Sequence, residues 1–504
     1  MGAPYNATAD LLERNLKSPA RVAFREAGRA TTYGELGERA NRAGNALRAL
    51  GVQMEQRVLL CMLDTADFPA AFWGAMKAGI VPIPVNTLLT TGDYDYLLRD
   101  SRARALIVSA ALLPKLEPVL QSQPFLQAVV VCGGRAPGRL SFDELLAQAK
   151  PALETAPTTD DDVAFWLYSS GSTGLPKGAM HLHGDLAQTA RLYGEGILGM
   201  RPDDLVFSAA KLFFAYGLGN AMTFPFAAGA STILLADRPT PQAVMRILQE
   251  ERPTIFFGVP TLFAAILADP ALRDAGGRLR FCVSAGEPLP KEIGERWRER
   301  FGVDILDGIG STEMLHIFLS LRPDDVRYGT TGKPVPGYEI QIVDAQDRPV
   351  QRGEIGELRV RGPSSAVAYW NNREKSLRTF RGPWTYTGDK YTQDSDGYYV
   401  YCGRSDDMIK ASGQWVAPAE VEAALIAHPA VLEAAVVAQK DENQLDKPKA
   451  YVVLKPGAKA APEELQRFCK DRLAPFKYPR WIEFLESLPK TATGKIQRFK
   501  LRQG

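Results

Sequence analysis

Residues 168–184 read YSSGSTGLPKGAMHLHG, a stretch that gathers Ser169, Ser170, Ser172 and Thr173 around Gly171 and Gly174 and then adds one lysine, Lys177. It follows VAFWLY, an apolar run that reads as a buried strand, and precedes a stretch of helical spacing from about Asp185. A strand that opens into a loop of glycines and hydroxyls is a way to surround phosphate. Glycines let backbone N–H groups approach closely, hydroxyls donate further hydrogen bonds, and the lysine supplies positive charge. The ordinary nucleotide pattern G-x-x-x-x-G-K-[ST], counted from Gly171, would need Gly at Pro176 and Ser or Thr at Gly178, so it is excluded. The bland alternative is a flexible surface turn.

Working outward, the strand-then-loop design returns at TIFFGVP and LRFCVSAGEPLP, so several strand ends converge on one crevice in this reading. Up to about residue 400, helical patterns such as YGELGERANRAGNALRALG alternate with short apolar runs such as RVLLCML, RALIVSA and QAVVVCG. The alternation predicts an α/β fold of layered, largely parallel sheets. Residues 329–402 change to Gly-punctuated strands (YEIQIVD, GELRVRG, GYYVYCG), which read as a smaller β unit. From about 405 onward a helix, two strands, another helix and a Pro- and Lys-rich tail predict a small α+β domain. The expected domains are residues 1–404 and 405–504.

Composition narrows the function. The 504 residues carry 60 basic against 58 acidic side chains, a formal +2 at pH 7, which gives no reason to expect nucleic acid or an anionic membrane as partner. No apolar run reaches the ~18 residues of a membrane span, and no basic-then-apolar leader opens the chain, so a cytoplasmic protein is expected. Cys61, Cys132, Cys282, Cys402 and Cys469 form no C-x-x-C pair and read as reduced, mostly buried thiols. His181 and His183 are the one close pair among four histidines, without a cysteine or carboxylate at zinc spacing. G-x-S-x-G is absent, which removes the usual hydrolase nucleophile. GEGILG at 194–199 matches G-x-G-x-x-G but follows a helical stretch instead of a strand, so it lacks the context of a dinucleotide site.

Further motifs lie far apart: DGIGSTEM (307–314), YTGDKYTQDSDGYY (386–399), GRSDDMIKASGQWV (403–416) and PKTATGKIQR (489–498). Each alone reads as a cap or a turn. In this order and with the loop above, they resemble the adenylate-forming superfamily of acyl-CoA synthetases, peptide-synthetase adenylation domains and luciferases. The resemblance covers essentially the whole chain. It implies a large N-terminal domain followed by a small mobile C-terminal one, and a two-step reaction: an acid is joined to the α-phosphate of ATP, and the acyl group then passes to a thiol. It also implies Mg2+, because a carboxylate must approach a polyanion.

Carried over residue by residue, the resemblance makes the opening loop, Ser169 to Gly174 with Lys177, the cradle of the β- and γ-phosphates. Thr312 then contacts the α-phosphate and Glu313 holds Mg2+. Asp389 accepts from the ribose hydroxyls with Arg404 beside it; the alternative is a turn cap and a surface ion pair. Gly286, Glu287 and Pro288 line adenine, Asp307 lies near its amino group, and Gly308 belongs to the ATP site. Ile309 stands where many members carry a stacking Tyr, so aliphatic packing replaces stacking. Lys495 is the implied catalytic lysine, Asp406 the implied hinge, and Ser412, Gly413 and Trp415 fall on the CoA tunnel.

The acyl pocket of the family corresponds to residues 211–220 and 308–318, with Phe214, Ala215, Tyr216, Ile309, Gly310, His316 and Ile317 as its lining. None is acidic, which argues against recognition of an amino acid's ammonium group. Aromatic residues beside a small Ala and Gly suggest a short, flat cavity. The wording of both stretches resembles bacterial benzoate–CoA ligases, which implies a benzoate-type acid, ATP and CoA as partners. A homodimer and a lysine acyltransferase acting on Lys495 are allowed by the family. Still open are another small aryl acid, a short aliphatic acid with Phe213, Phe214 and Phe318 as ordinary core, loading of a carrier protein, and a nucleotide-dependent regulator without catalysis.

Overall fold

The computed structural model describes residues 3–169, 175–405, 407–411, 414–442, 445–474, 477–490 and 496–502, with backbone only at 410, 411, 414 and 415. Its largest sheet has nine strands, in the order Lys333–Pro334, Ile317–Ser320, Ile305–Gly310, Phe281–Ala285, Ile255–Gly258, Leu205–Ser208, Ser231–Ile233, Val22–Glu26 and Arg29–Thr32. The inner pairings are parallel and the outer ones antiparallel. Phe281–Ala285 and Ile255–Gly258 are buried at every residue, as continuous apolar runs are when helices cover both faces of a parallel sheet.

A second, wholly parallel sheet joins Val81–Pro84, Arg57–Cys61, Ala105–Ser109, Ala128–Cys132 and Leu140–Ser141. Over it lie the helices Tyr33–Ala49 and Asp67–Lys77, the first opened by a capping box of Thr32 and Glu35. The two helices approach so closely that a Cβ at Gly44 would stand 2.5 Å from the Gly74 carbonyl oxygen, so only glycine fits that crossing.

One strand was not legible in the sequence. Lys177–Leu182 is a strand, paired antiparallel with Val163–Ser169 through Ser169↔Lys177 and Phe165↔His181, and the helix His183–Thr189 follows it. Gly178 and Ala179 carry too little apolar surface to produce a period-two signal. The strand is fixed instead by its neighbours, including Ala368–Tyr369 on its other edge. GEGILG lies in and just after a π-helical segment, Ala190–Glu195, as a non-nucleotide reading requires.

The smaller β unit is an antiparallel sheet of Glu339–Val343, Gly356–Arg361, Trp384–Gln393, Phe380–Arg381 and Tyr399–Arg404. Beyond it, Val431–Lys440, Asp446–Leu454 and Trp481–Phe484 form a three-stranded sheet. Helices Pro418–Ile426 and Pro462–Lys470 pack on it through Val421, Leu425, Val436, Val452 and Leu465, an α+β core of its own. All five cysteines are buried and unpaired. Burial pushes the thiols of Cys61, Cys132 and Cys402 up to about 12, Cys469 to about 11, and raises Cys282 as well. Among the described residues no helix is long and apolar enough to cross a membrane.

Candidate active site

The site is built around the turn that joins Ile305–Gly310 to its antiparallel partner Ile317–Ser320. Three successive carbonyls of this turn each accept a hydrogen bond, one from the strand Lys177–Leu182 and two from the loop before Ala368–Tyr369. The Thr312 oxygen takes His181 Nε2–H at 2.7 Å, that of Glu313 takes the Ala366 N–H at 2.7 Å, and that of Met314 takes the Ser364 hydroxyl at 2.8 Å. Leu315 closes the turn in the left-handed region at φ 65°. His181 and its partner Asp185 (Nδ1···Oδ2 2.9 Å) are both buried.

The Glu313 carboxylate projects from this turn and accepts the Tyr369 hydroxyl at 2.6 Å and that of Ser169 at 3.3 Å, both at Oε1. Lys177 Nζ is 3.4 Å from the Tyr369 oxygen and 4.4 Å from the centre of its ring. Burial works against a charge on Glu313, but the Tyr369 hydroxyl and the Lys177 ammonium together hold its carboxyl below the usual range. Burial lowers the Lys177 pKa, and the Glu313 charge offsets part of that shift. Among the described residues no group of three or more His, Cys, Asp or Glu could enclose a metal. A lone carboxylate kept anionic suits an ion that retains water and phosphate ligands, as Mg2+ does.

Gly286, Glu287 and Pro288 follow the end of Phe281–Ala285, with Gly286 at φ 95°. Glu287 Oε1 accepts the N–H of Ile496 at 3.2 Å, so the chain immediately after Lys495 reaches this loop. Asp307, on the neighbouring strand, is 4% exposed; its Oδ2 accepts the Leu289 N–H at 3.5 Å, and burial raises its carboxyl well above the usual range. Gly308 follows it, and the Ile309 side chain packs against the core. Asp389 and Arg404 face each other across adjacent strands, with Arg404 Nη1 donating to Asp389 Oδ1 and to the Thr387 carbonyl, each at 2.9 Å.

At the other side of the turn, Tyr216 stands on the short helix Ala215–Leu218. Its hydroxyl donates to the carbonyls of Val283 (3.1 Å) and Gly258 (3.3 Å), which ties it to two sheet strands. His316 Nε2 donates to Asn220 Oδ1 at 3.1 Å and to the Tyr216 carbonyl at 3.3 Å. Burial lowers its pKa to about 3, so the imidazole is neutral. The His316 ring lies 5.7 Å from that of Tyr216 and 4.4 Å from that of Phe224. A Cβ at Gly310, which pairs with Ile317, would meet the His316 carbonyl oxygen at 2.5 Å, so glycine is required there. Phe214 caps the helix that begins at Ala215, and its ring leans on Phe213, 4.3 Å away. Phe213 and Phe318 are core residues.

Sequence reasoning missed Tyr369, His181, Asn220 and Asp64. Asp64 is buried, and both its oxygens lie 3.3 Å from the N–H of Leu212, at the start of the segment expected to line the acyl group. Burial raises its carboxyl to about 6, against the opposing pull of Lys211. Of the expected residues, Ser170, Gly171, Ser172, Thr173, Gly174, Asp406, Ser412, Gly413 and Lys495 lie outside the described residues, as does the Trp415 side chain. Near two of them, Arg498 Nη2 donates to both oxygens of Glu422 at 2.8 and 2.9 Å, its Nε donates to Oε1 at 3.1 Å, and Arg502 pairs with Asp407.

Comparison with known proteins agrees with this layout. Residues 11–370 match the AMP-binding enzyme family, and residues 420–495 match the AMP-binding enzyme C-terminal domain. The chain belongs to the AMP-binding enzyme family. A benzoate–CoA ligase of Thauera aromatica is 58% identical, over 99% of this chain and 96% of its own length. A 4-hydroxybenzoate–CoA/benzoate–CoA ligase of Rhodopseudomonas palustris is 48% identical, over 99% and 94%. The crystal structure of a benzoate CoA ligase from Burkholderia xenovorans LB400 superposes with a TM-score of 0.93 at 54% identity, covering 99% of this chain and all (100%) of that one.

Proposed function

We propose that this protein ligates benzoate to coenzyme A in two steps. In the first, a benzoate oxygen attacks the α-phosphorus of ATP, the bond to the β-phosphate breaks, and pyrophosphate leaves. In the second, the CoA thiol loses its proton as its sulfur attacks the acyl carbon of benzoyl-adenylate, and AMP leaves with the C–O bond electrons. The observation that carries this reading is the 58% identity to a benzoate–CoA ligase across 99% of the chain. The neutral lining expected from Tyr216, Gly310, His316 and Ile317 supports it, because an uncharged, partly aromatic wall suits a benzene ring and offers nothing to an ammonium group.

In the first step, Lys177 and the loop 169–174 neutralise the outer phosphates, Thr312 meets the α-phosphate, and Glu313 offers its carboxylate to Mg2+. Held there by Glu313, the ion would supply Lewis-acid neutralisation of the phosphate charge. Asp389 with Arg404 holds the ribose, and Gly286–Pro288 with Asp307 and Ile309 surrounds adenine. Lys495 bridges carboxylate and α-phosphate. For the second step the C-terminal domain turns about Asp406, and residues 412–415 line the path of the CoA arm. The cytoplasm, where unpaired cysteines stay reduced, is the proposed setting.

CoA-dependent AMP formation with a panel of acids tests the substrate. Overpacking at the para position costs about 1–3 kcal/mol, so benzoate should exceed 4-hydroxybenzoate by about 10- to 100-fold in kcat/KM. Equal efficiency would favour a dual-specificity reading, as the name of the Rhodopseudomonas relative suggests. Lys495→Ala should lose about 10²-fold in pyrophosphate exchange, the cost of one positioned charge, while converting supplied benzoyl-adenylate normally. Acylation of Lys495 by a lysine acyltransferase would remove the same charge and should copy this variant.

A further inference from the structure

The pair His181–Asp185 has no part in the mechanism above, yet it touches the turn on which that mechanism depends. His181 sits on the strand Lys177–Leu182 with its ring stacked on Phe165, at 5.3 Å and an interplanar angle of 19°. Both of its nitrogens face oxygens that accept. Nε2 meets the Thr312 carbonyl at 2.7 Å, so it carries hydrogen, and Nδ1 meets Asp185 Oδ2 at 2.9 Å, so one proton lies between them. Asp185 Oδ2 also accepts the Leu182 N–H at 3.1 Å, which fixes the carboxylate. His183, two residues on, only accepts from the Ala7 N–H at 3.2 Å. A fully buried, doubly engaged imidazole aimed at one backbone oxygen is costly to assemble and pins that oxygen firmly.

We propose that His181, oriented by Asp185, is the positioning residue that holds the Thr312–Glu313 peptide in register for adenylate formation. It touches no reacting atom. It acts because the same strand carries Lys177 at its first residue, so one rigid segment sets the lysine and, through Nε2, the turn that bears Thr312 and Glu313. This rests on the reading of the site as an adenylate-forming one. Wild-type pyrophosphate exchange with benzoate is therefore the control, and its absence would overturn that reading and not this one.

The test uses the full-length enzyme with His181→Asn and His181→Gln, the second of which places an amide N–H close to the position of Nε2. A misplaced catalytic group costs up to about 10²-fold. His181→Asn should therefore lose about 10²-fold in the maximal rate of pyrophosphate exchange and His181→Gln only about 10-fold. Both should convert supplied benzoyl-adenylate and CoA within about 3-fold of wild type, since that step does not use the Glu313 carboxylate. Equal loss in the two variants, or equal loss in both half-reactions, would overturn the proposal. Asp185→Asn keeps a neutral imidazole with hydrogen on Nε2 and decides the matter if neither His181 variant folds. Its exchange rate should fall more than its thioester rate, and a parallel fall would count against positioning.

Discussion

Tyr369 shows what a single hydroxyl contributes here. It donates to Glu313 at 2.6 Å while its ring lies under Lys177, so it holds apart two opposite charges that would otherwise collapse onto one another. A hydrogen bond to a charged group is worth about 1.5–3 kcal/mol. Tyr369→Phe should therefore lower pyrophosphate exchange about 10-fold and raise the Mg2+ concentration for half-maximal rate, with little change in KM for benzoate; a titration of rate against Mg2+ checks this. Glu313 and Lys177 were legible in the sequence because their neighbours form compact motifs. Tyr369 was not, because its partner is 56 residues away and the pairing exists only after the strand Ala368–Tyr369 joins the hairpin. His181 was noticed only as a failed zinc ligand, since a backbone carbonyl leaves no trace in residue letters.

Elements carry the next layer. The end of the strand Arg57–Cys61 leads to Asp64, whose carboxylate fixes Leu212, at the start of the segment proposed to line the acyl group. Its folded-state pKa of about 6 lies above that of a free carboxylate, and Glu26 adds to the shift that burial causes while Lys211 opposes it. A raised pKa of this kind gives stability that is fully present below the unfolded value and is lost as pH rises through about 6. Between acid and pH 8 the loss is on the order of 2–3 kcal/mol. Asp64→Asn, neutral throughout, should therefore gain about 1.4 kcal/mol relative to wild type between pH 5 and pH 8, roughly half of the whole loss, measured by urea unfolding at the two pH values. At this scale the sequence declared the long helices, the buried parallel strands and the β unit, each through its own period. It concealed Lys177–Leu182, whose first half is too small to alternate.

The whole molecule adds an interface that no local pattern announces. Helices Pro260–Ala268 and Lys291–Phe301 meet Ile426, Val431 and Lys455 of the C-terminal part, where Arg296 and Lys455 share the same narrow gap. Burial and the Arg296 charge both lower the pKa of Lys455. A partly polar seam that holds Glu292, Arg296 and Lys455 suits surfaces that part again, and the Glu287–Ile496 hydrogen bond belongs to the arrangement described here. Asp406→Pro should leave pyrophosphate exchange intact and slow thioester formation about 10-fold or more, because a fixed φ restricts rotation and not chemistry; parallel loss of both rates would place the pivot elsewhere. That the chain has two parts could be read from composition. How they dock could not, because it depends on a few long-range contacts. The buried, high-pKa cysteines bear on how such rotation can be watched. Buried thiols held in the neutral form are poor nucleophiles toward an activated acyl group or a disulfide, and a maleimide dye should attach where a new surface cysteine is placed. One such cysteine on each part would turn the enzyme into a fluorescence ruler for its own turnover without removing a native residue.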